Sequence, residues 1–320
     1  MTPLSLSLLH VEQDGEVAVV RVHRPSHLNS VNPAVLHQLQ QAIDHAAADP
    51  GVRGVLFAGD VKAFVVGAEL GFFLRNIEAR DFERIIQFTK AGHRLMNTIA
   101  ACPKPVVACV DGVALGAGTE IALACHRVVA SPRASFGLPE TGLGIYPGFG
   151  GTQRAPRAVG IGLAKWLIFT GKTLSAAEAR RIGLVDQVAP HEELTAAARQ
   201  CIFNFLNANE SRPPREPLSP ERAAIEHFFA VNRVESLRLG QADPGGNPAL
   251  ARAMKPVAAK GPVALRIAEW LIDEGMRLPL PSALQLEIDR VMDIFTTEDA
   301  LRGLSFRAGR QVGNPQFTGR

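Results

Sequence analysis

Apolar residues follow two patterns along the chain, and the two patterns alternate. Glu16–Val22, Val55–Ala58 and Val106–Val110 are short apolar runs that lead into charged, glycine or proline residues. Such runs predict buried strands. Pro33–Ala48 and Phe82–Ile99 instead place apolar residues at helical spacing, which predicts amphipathic helices. Strands alternating with helices indicate an α/β fold in which the helices pack outside a sheet.

Helical patterns dominate after Arg154. Ser175–Glu178 has the sequence of a capping box, in which a serine and a following glutamate cap the start of a helix. The further predicted helices are Leu194–Leu206, Glu221–Leu239, Pro262–Met276, Ser282–Phe295 and Thr297–Arg307. Residues 210–220 and 241–248 are rich in proline, glycine and charge, and we predict a linker and a second break there.

The composition is that of an ordinary globular protein. Of the 320 residues 47% are hydrophobic, and the formal net charge of +3 is too small to indicate nucleic-acid binding. The N-terminus lacks the basic and long apolar regions of a signal peptide, and no segment is apolar over a membrane-spanning length. Four cysteines without paired short spacing indicate reduced thiols and no metal site. We therefore expect a cytoplasmic protein with no metal, nucleic-acid or membrane partner.

The stretch from Lys104 to Arg154 carries two carboxyl groups in unusual places. It is predicted to form a buried strand, a glycine-rich turn, a short apolar helix, a strand and a second glycine-rich turn. Glu120 lies in the apolar first turn of that helix, and Glu140 follows the next break. A buried carboxylate is costly unless it is paired or used. Two such groups suggest acid/base chemistry on a carbonyl compound.

Small residues surround two turns that are predicted to lead into helices. The loop at residues 60–70 contains Gly67 and Ala68, and the other turn contains Gly116, Ala117 and Gly118. Backbone N–H groups at such turns are free to donate, and small side chains let a ligand approach them. Two such amides that converge on one carbonyl oxygen would stabilise the negative charge that develops there.

Two other glycine motifs fit their patterns poorly. Gly116 and Gly118 begin a dinucleotide-binding fingerprint, but Ile121 occupies the position of its third glycine. Gly171–Thr173 resembles the end of a phosphate loop, but Trp166 stands where the first glycine of that loop would be. We interpret neither motif as a nucleotide site.

A resemblance to a known family rests on three segments, KAFVVGAEL, KPVVACVDGVALGAGTEIALACHRVVAS and FGLPETGLGIYPGFGGTQR. In order and spacing they resemble the crotonase (enoyl-CoA hydratase/isomerase) superfamily, and the likeness covers Glu16 to about Pro190 and about Gly261 to Arg320. The resemblance implies an α/β fold. Its parts would be a crotonase-like ββα spiral core at residues 1–208, a linker with an extra helical insertion at 209–260 and a C-terminal α-helical trimerisation region at 261–320. Homotrimers or dimers of trimers are expected.

The family's shared chemistry is the binding of an acyl-CoA and the stabilisation of a thioester enolate. On its pattern the backbone amides of Ala68 and Ala117 match the oxyanion hole, and Glu120 and Glu140 match the two glutamates of the hydratases. These glutamates would hold one water, which Glu120 helps to deprotonate for attack at Cβ, while Glu140 supplies the proton to Cα. The resemblance thus implies a lyase of fatty-acid β-oxidation that needs no cofactor beyond the coenzyme A of its substrate.

Coenzyme A is expected along residues 24–28 and the loop at 62–66, where the family grips adenine largely through backbone groups. Arg24 and Lys62 are candidates for the pyrophosphate, although a solvated surface position fits either residue equally well. Val65 and Val66 replace a commoner pair of small residues, and Ala117 replaces a usual glycine, so acyl preference is open. The implied substrate-binding positions are Arg24, His27, Leu28, Lys62, Phe64, Val65, Val66, Gly67, Gly116 and Gly148.

Three alternatives to a hydratase are open. Isomerases of the superfamily often keep only one carboxylate, whereas both are present here. Its hydroxyacyl-CoA hydrolases lack the glutamate that matches Glu120 and carry an acidic residue where this chain has Gly148. A non-catalytic acyl-CoA-binding subunit has no need of two charges in an apolar pocket. Hydration of an enoyl-CoA is therefore the favoured function.

Overall fold

Short strands and many helices make up this computed structural model, which describes residues 6–59, 62–208, 216–311 and 314–320. The strands are β1 (Leu9–Asp14), β2 (Val17–Val22), β3 (Gly54–Ala58), β4 (Ala63–Val66), β5 (Val106–Val110), β6 (Val113–Leu115), β7 (Arg127–Ala130), β8 (Ser135–Gly137), β9 (Leu174–Ser175) and β10 (Gln187–Val188).

The helices complete the inventory of the described residues. They are α1 (Pro33–Ala48), α2 (Leu70–Glu78), α3 (Phe82–Ala100), α4 (Ala117–Ala124), α5 (Gly151–Val159), α6 (Ile161–Thr170), α7 (Ala176–Arg181), α8 (Leu194–Ala208), α9 (Pro220–Val231), α10 (Val234–Arg238), α11 (Pro248–Met254), α12 (Pro262–Gly275), α13 (Leu280–Asp289), α14 (Val291–Phe295) and α15 (Glu298–Arg307). Short 3-10 helices lie at Pro25–His27, Glu140–Leu143, His191–Glu193 and Lys255–Ala259.

These elements belong to two compact units. The first comprises residues 1–68, 91–136 and 174–216, and the second comprises 69–90, 137–173 and 217–320. The three regions inferred from the sequence, 1–208, 209–260 and 261–320, stay a prediction. Residues 210–215 of the predicted linker lie outside the described part of the chain.

A six-stranded sheet organises the first unit, with strand order β1-β2-β3-β5-β7-β10. Strands β1 and β2 are antiparallel, and the other neighbouring pairs are parallel. The predicted strands β2, β3 and β5 are confirmed, and β3 and β5 are buried along their full length, as expected of parallel strands covered on both faces. The exposed edge strand β1 was not predicted, because LHVEQD has too few apolar residues to resemble a buried strand.

One face of this sheet packs on α8. Gly54 permits the contact, because a Cβ atom at that position would lie 2.3 Å from the Cγ2 atom of Ile202. Complete burial of a valine, leucine or isoleucine side chain stabilises a fold by about 1.5–3 kcal/mol. The buried side chains that pack together between this face and α8 are Val17, Val19, Leu56, Ala58, Val107, Cys109, Val129, Ala189, Leu194, Ala198 and Ile202.

A second, four-stranded sheet has the order β4-β6-β8-β9. The predicted loop at residues 60–70 is wrong for Ala63–Val66, which form β4 and pair in parallel with β6. Glycines near this short apolar run favoured the loop prediction, but pairing with β6 stabilises a strand instead. Apart from Ala63, the residues of the run are β-branched or aromatic, which suits a strand. Residues 60 and 61 of that loop lie outside the described residues.

Helices make up most of the second unit. The ring centroids of Phe73 and Phe295 lie 4.9 Å apart, and those of Phe88 and Phe149 lie 5.3 Å apart. Helices α6 and α9 approach closely at Gly162, where a Cβ atom would lie 1.7 Å from the carbonyl oxygen of Glu226. This unit therefore has an apolar core of its own.

Two predicted helices are each divided in two. The predicted helix Glu221–Leu239 breaks at Asn232, whose extended backbone has a ψ of 134°. The Val234 N–H then donates to a carboxylate oxygen of Glu269 at 2.7 Å, so a side chain of α12 caps the second piece. A tertiary partner thus supplies the acceptor that a continuous helix would have provided within itself.

The predicted helix Ser282–Phe295 breaks at Arg290, between α13 and α14. The Tyr146 hydroxyl donates to the carbonyl oxygen of Glu287 at 2.6 Å. In an unbroken helix that carbonyl oxygen would accept the N–H of Val291. The Tyr146 hydroxyl therefore competes with the Val291 N–H for this acceptor. Among the described residues, none of the helices combines the length and the hydropathy that a bilayer span requires.

Candidate active site

Ala68 and Ala117 follow two neighbouring parallel strands at equivalent positions. Val66 at the end of β4 is paired in register with Leu115 at the end of β6, and each alanine comes two residues later. The Gly67 N–H donates to the Leu115 carbonyl oxygen at 2.7 Å. Because the strands run in the same direction, both alanines lie at the same edge of the sheet.

The backbone at both turns requires glycine and leaves the alanine amides available. Gly67 and Gly116 have positive φ values of 67° and 53°, which glycine adopts at little cost. No hydrogen bond from the Ala68 N–H to another described residue is present. Ala117 is the first residue of α4, and the first N–H groups of a helix have no acceptor within it.

Helix α4 is buried throughout and fixed to the second sheet. The Thr119 hydroxyl donates to the Ala114 carbonyl oxygen at 2.8 Å, and Gly118 packs against the carbonyl group of Val65. The positive end of the helix dipole therefore has a fixed place beside the Ala117 amide. An anionic oxygen near these two amides would be stabilised by both hydrogen bonding and the dipole.

Glu120 occupies the first turn of α4, as predicted. Its side chain is only 2% exposed, and the neighbouring residues of the helix are buried as well. The structure therefore places a carboxyl group in the apolar interior of the first unit, beside the turn that carries Ala117. Its role as a base stays a prediction.

Glu140 begins a 3-10 turn in the second unit and is 8% exposed. Its Oε2 atom has no hydrogen-bond partner among the described residues. Burial, together with the nearby charge of Glu287, raises the pKa of Glu140 from the ordinary 4.5 to about 8. The Glu140 carboxyl group is therefore largely protonated at neutral pH and able to donate a proton. The pairing of Glu120 with Glu140 stays a prediction.

Glu287 of α13 is fully buried and was not predicted from the sequence. Its carboxylate accepts the Gly150 N–H at 2.7 Å and the Thr152 N–H at 3.0 Å, at the start of α5. It also accepts the Thr152 hydroxyl at 2.5 Å. These bonds fix the glycine-rich turn that contains Gly148. A signal was present, because Glu287 lies at helical spacing from the buried residues Ala283 and Leu284.

Gly148 lies in this turn and is partly buried. A Cβ atom there would meet only the Tyr146 carbonyl oxygen, at 3.8 Å, within 4 Å among the described residues. The space therefore allows a larger residue, and the glycine is not required by local packing. This position is compatible with the sequence argument that an acidic residue would stand there in a hydrolase.

The two predicted CoA segments lie side by side in the first unit. The Val66 N–H donates to the Leu28 carbonyl oxygen at 3.1 Å. Leu28 is 50% exposed and has a left-handed φ of 47°. Arg24 donates through Nη1 to the Ser30 carbonyl oxygen at 2.6 Å, so its guanidinium group also braces its own loop.

The remaining predicted positions differ in exposure. His27 and Lys62 are exposed, whereas Phe64 and Val65 are buried in the core. Val66 and Gly67 are partly buried, and Gly116 is buried. The buried side chains of Phe64 and Val65 offer little surface to a ligand. The binding roles stay predictions.

Within the described ranges, no three His, Cys, Asp or Glu side chains come together as a metal site would require. The sequence prediction of a site without metal or separate cofactor stays a prediction.

Comparison with known proteins relates the chain to one family. The family model described as "Enoyl-CoA hydratase/isomerase" matches residues 12–212. A crotonyl-CoA hydratase of Syntrophomonas wolfei is 32% identical over 298 residues, which cover 92% of this chain and 92% of the relative. A short-chain-enoyl-CoA hydratase of Clostridium acetobutylicum is 33% identical over 299 residues, again with 92% of each chain covered.

A solved structure has the same fold. The carnitinyl-CoA dehydratase of Mycobacterium thermoresistibile has a TM-score of 0.82 and 24% sequence identity, with 97% of this chain and 91% of that chain covered. At this identity the likeness supports the fold alone. The predicted crotonase-like α/β fold with C-terminal helices is confirmed.

Proposed function

Since this chain belongs to the enoyl-CoA hydratase/isomerase family, we propose that it is an enzyme that adds water across the 2,3 double bond of an enoyl-CoA thioester. The observation that carries this proposal is the pair of available amides at Ala68 and Ala117, at the same edge of two parallel strands. The names of the two relatives, a crotonyl-CoA hydratase and a short-chain-enoyl-CoA hydratase, agree with it.

The two amides would act on the thioester oxygen. Attack of water at Cβ moves the electrons of the double bond toward that oxygen and forms an enolate. Two fixed N–H donors and the positive end of α4 stabilise this charge more strongly than the neutral carbonyl of the substrate, which lowers the barrier. Each donor of this kind is worth about 3 to 4 kcal/mol in other enzymes.

The two glutamates would handle the protons. We assign Glu120 as the base that takes a proton from the attacking water, so that the oxygen bonds to Cβ. We assign Glu140 as the acid that delivers a proton to Cα, which completes the addition of water. The raised pKa of Glu140, about 8, supports this assignment, because a protonated carboxyl group can donate at neutral pH.

The substrate and setting follow as further parts of the proposal. The acyl-CoA would lie along residues 24–28 and 62–66, and no cofactor other than the coenzyme A of the substrate would be used. We place the protein in the cytoplasm and in fatty-acid β-oxidation, as a homotrimer or dimer of trimers. Sedimentation-velocity analysis tests the assembly, since a monomer or dimer would contradict it.

The deciding experiment is the loss of the conjugated-thioester absorbance of crotonyl-CoA with purified protein, repeated with longer enoyl-CoA thioesters. The expected product is the 3-hydroxyacyl-CoA, identified by mass. Release of free CoA would instead indicate a hydrolase, and conversion of a 3-enoyl-CoA alone would indicate an isomerase. Binding of acyl-CoA without any turnover would favour a non-catalytic subunit and overturn the proposal.

A further inference from the structure

Asn29 is a buried polar residue, 1% exposed, in the loop between β2 and α1. Its backbone has a left-handed φ of 57°, which asparagine adopts more readily than most residues. Its Oδ1 atom accepts the Arg24 N–H at 2.8 Å. Its Nδ2 group donates to the Ala63 carbonyl oxygen at 2.9 Å and lies 3.4 Å from that of Phe64. One side chain therefore joins two segments that are distant in the sequence.

Backbone contacts continue from this joint toward Ala68. The Val66 N–H donates to the Leu28 carbonyl oxygen, and the Val31 N–H donates to the Gly67 carbonyl oxygen at 3.0 Å. Val31 and Ala68 form a parallel bridge. Residues 28–31 thus run beside residues 66–68 and share hydrogen bonds with them, so a displacement of one segment is transmitted to the other.

We propose that Asn29 is a positioning residue, which holds the Arg24–Leu28 segment and the Ala63–Ala68 segment in one rigid frame. The inference rests on the proposed function, in which the first segment contacts the CoA nucleotide and the Ala68 amide contacts the thioester oxygen. Contacts with the nucleotide, remote from the reacting atoms, then help to place the amide donor. Enzymes use such remote binding energy to orient the reacting groups.

This role differs from that of a side chain that only stabilises its loop. A purely structural residue would change the amount or stability of active protein, and all substrates would lose rate by the same factor. If Asn29 is a positioning residue, the gain in kcat/KM that the nucleotide gives to a substrate depends on the Asn29 side chain. The useful quantity is therefore the ratio of kcat/KM for crotonyl-CoA to kcat/KM for crotonyl-pantetheine, a thioester that lacks the nucleotide.

The experiment uses Asn29→Gly in the full chain. Glycine retains access to the left-handed backbone and removes the side-chain hydrogen bonds. We expect kcat/KM for crotonyl-CoA to fall about 10- to 100-fold, the scale of a small misplacement of a reacting group, with a much smaller loss for crotonyl-pantetheine. Arg80→Gly is the matched control, since Arg80 is exposed and also left-handed, with a φ of 55°. It should change neither rate. Equal losses on both substrates, or no loss, would overturn the proposal.

A second readout does not depend on catalysis. In Asn29→Gly the Val31 and Val66 amide protons should exchange with deuterium faster than in the wild type, because the frame that protects them is loosened. Unchanged exchange contradicts the proposal. If wild-type protein fails to hydrate crotonyl-CoA, the proposed function fails, while the exchange experiment still decides whether Asn29 holds the two segments.

Should Asn29→Gly fail to fold, Asn29→Asp replaces it. Aspartate tolerates the left-handed backbone and keeps the acceptor for the Arg24 N–H, but it loses the donor to Ala63 and Phe64. The same fall in the substrate ratio is expected. A ratio equal to that of the wild type would count against the proposal.

Discussion

A Cβ atom at position 118 would lie 2.0 Å from the carbonyl oxygen of Val65. Gly118 follows Ala117 in the first turn of α4, and Val65 belongs to β4, the strand that leads to Ala68. The absence of a side chain at Gly118 therefore allows α4, which carries the Ala117 amide, to touch the strand that leads to Ala68.

Gly118→Ala is expected to destabilise the protein and to lower its hydratase rate. The neighbouring atom is backbone, so it cannot rotate away, and forced overpacking of this kind costs about 1–3 kcal/mol. The shift between α4 and β4 also displaces the Ala117 amide from Ala68. Thermal unfolding and kcat for crotonyl-CoA measure the two effects. The control is Gly71→Ala in α2, where the nearest atom, at 3.0 Å, is the movable end of Arg75. An unchanged kcat in Gly118→Ala would contradict this account.

Glu120→Gln and Glu140→Gln should each reduce hydration by about 10²- to 10⁴-fold, the usual contribution of a general acid or base. Glutamine has nearly the same shape but neither accepts nor delivers a proton in this way, so the fold and acyl-CoA binding should persist. Single-turnover assays with crotonyl-CoA, together with circular dichroism, distinguish lost chemistry from lost folding. A variant that keeps a rate near the wild type would refute the role given to that glutamate.

The sequence predicted those parts of the molecule that depend on local pattern. Strands β2, β3 and β5 and the capping box at Ser175 are present where expected. Positions that depend on distant partners were missed. β4 exists because it pairs with β6, and the second half of the predicted helix at 221–239 starts anew because Glu269 supplies a cap.

The candidate site shows the same division. The small residues around Gly67 and Gly116 indicated available amides, and the register of β4 with β6 supports their common location. The hydrogen-bonding roles of Asn29 and Glu287 could not be assigned from the sequence alone. Each acts through hydrogen bonds to residues far away in the chain, as those from Asn29 to Ala63 and from Gly150 to Glu287 illustrate.

Stability should depend on pH through Glu140. Its pKa is about 8 in the folded protein and near 4.5 in the unfolded chain. Between these two pKa values the folded protein retains a proton that the unfolded chain has lost. The stability that Glu140 contributes is therefore fully present below the pKa of the unfolded chain, and it is lost as pH rises through the pKa of the folded protein. Thermal unfolding of wild type and Glu140→Gln at about pH 5 and about pH 9 tests this. The wild type should lose more stability than the variant over this range; parallel losses would contradict the prediction.

The rate of hydration should fall at alkaline pH, and the charge of Glu287, which adds to the effect of burial, should influence the pH at which it falls. If Glu140 delivers the proton to Cα, kcat/KM declines as pH rises through the pKa of this group, about 8. The Glu287 charge raises the pKa of Glu140, so Glu287→Gln should lower this pKa and move the alkaline limb toward lower pH. The variant should also lose some stability, because one amide donor of the Gly150 turn loses its carboxylate acceptor. The matched control is Glu274→Gln, which removes a partly exposed carboxylate that pairs with Arg277 and should leave the limb in place. Full pH profiles of kcat/KM for all three proteins measure the shift. A limb that stays fixed in Glu287→Gln, or moves toward higher pH, would refute the electrostatic coupling between Glu287 and Glu140.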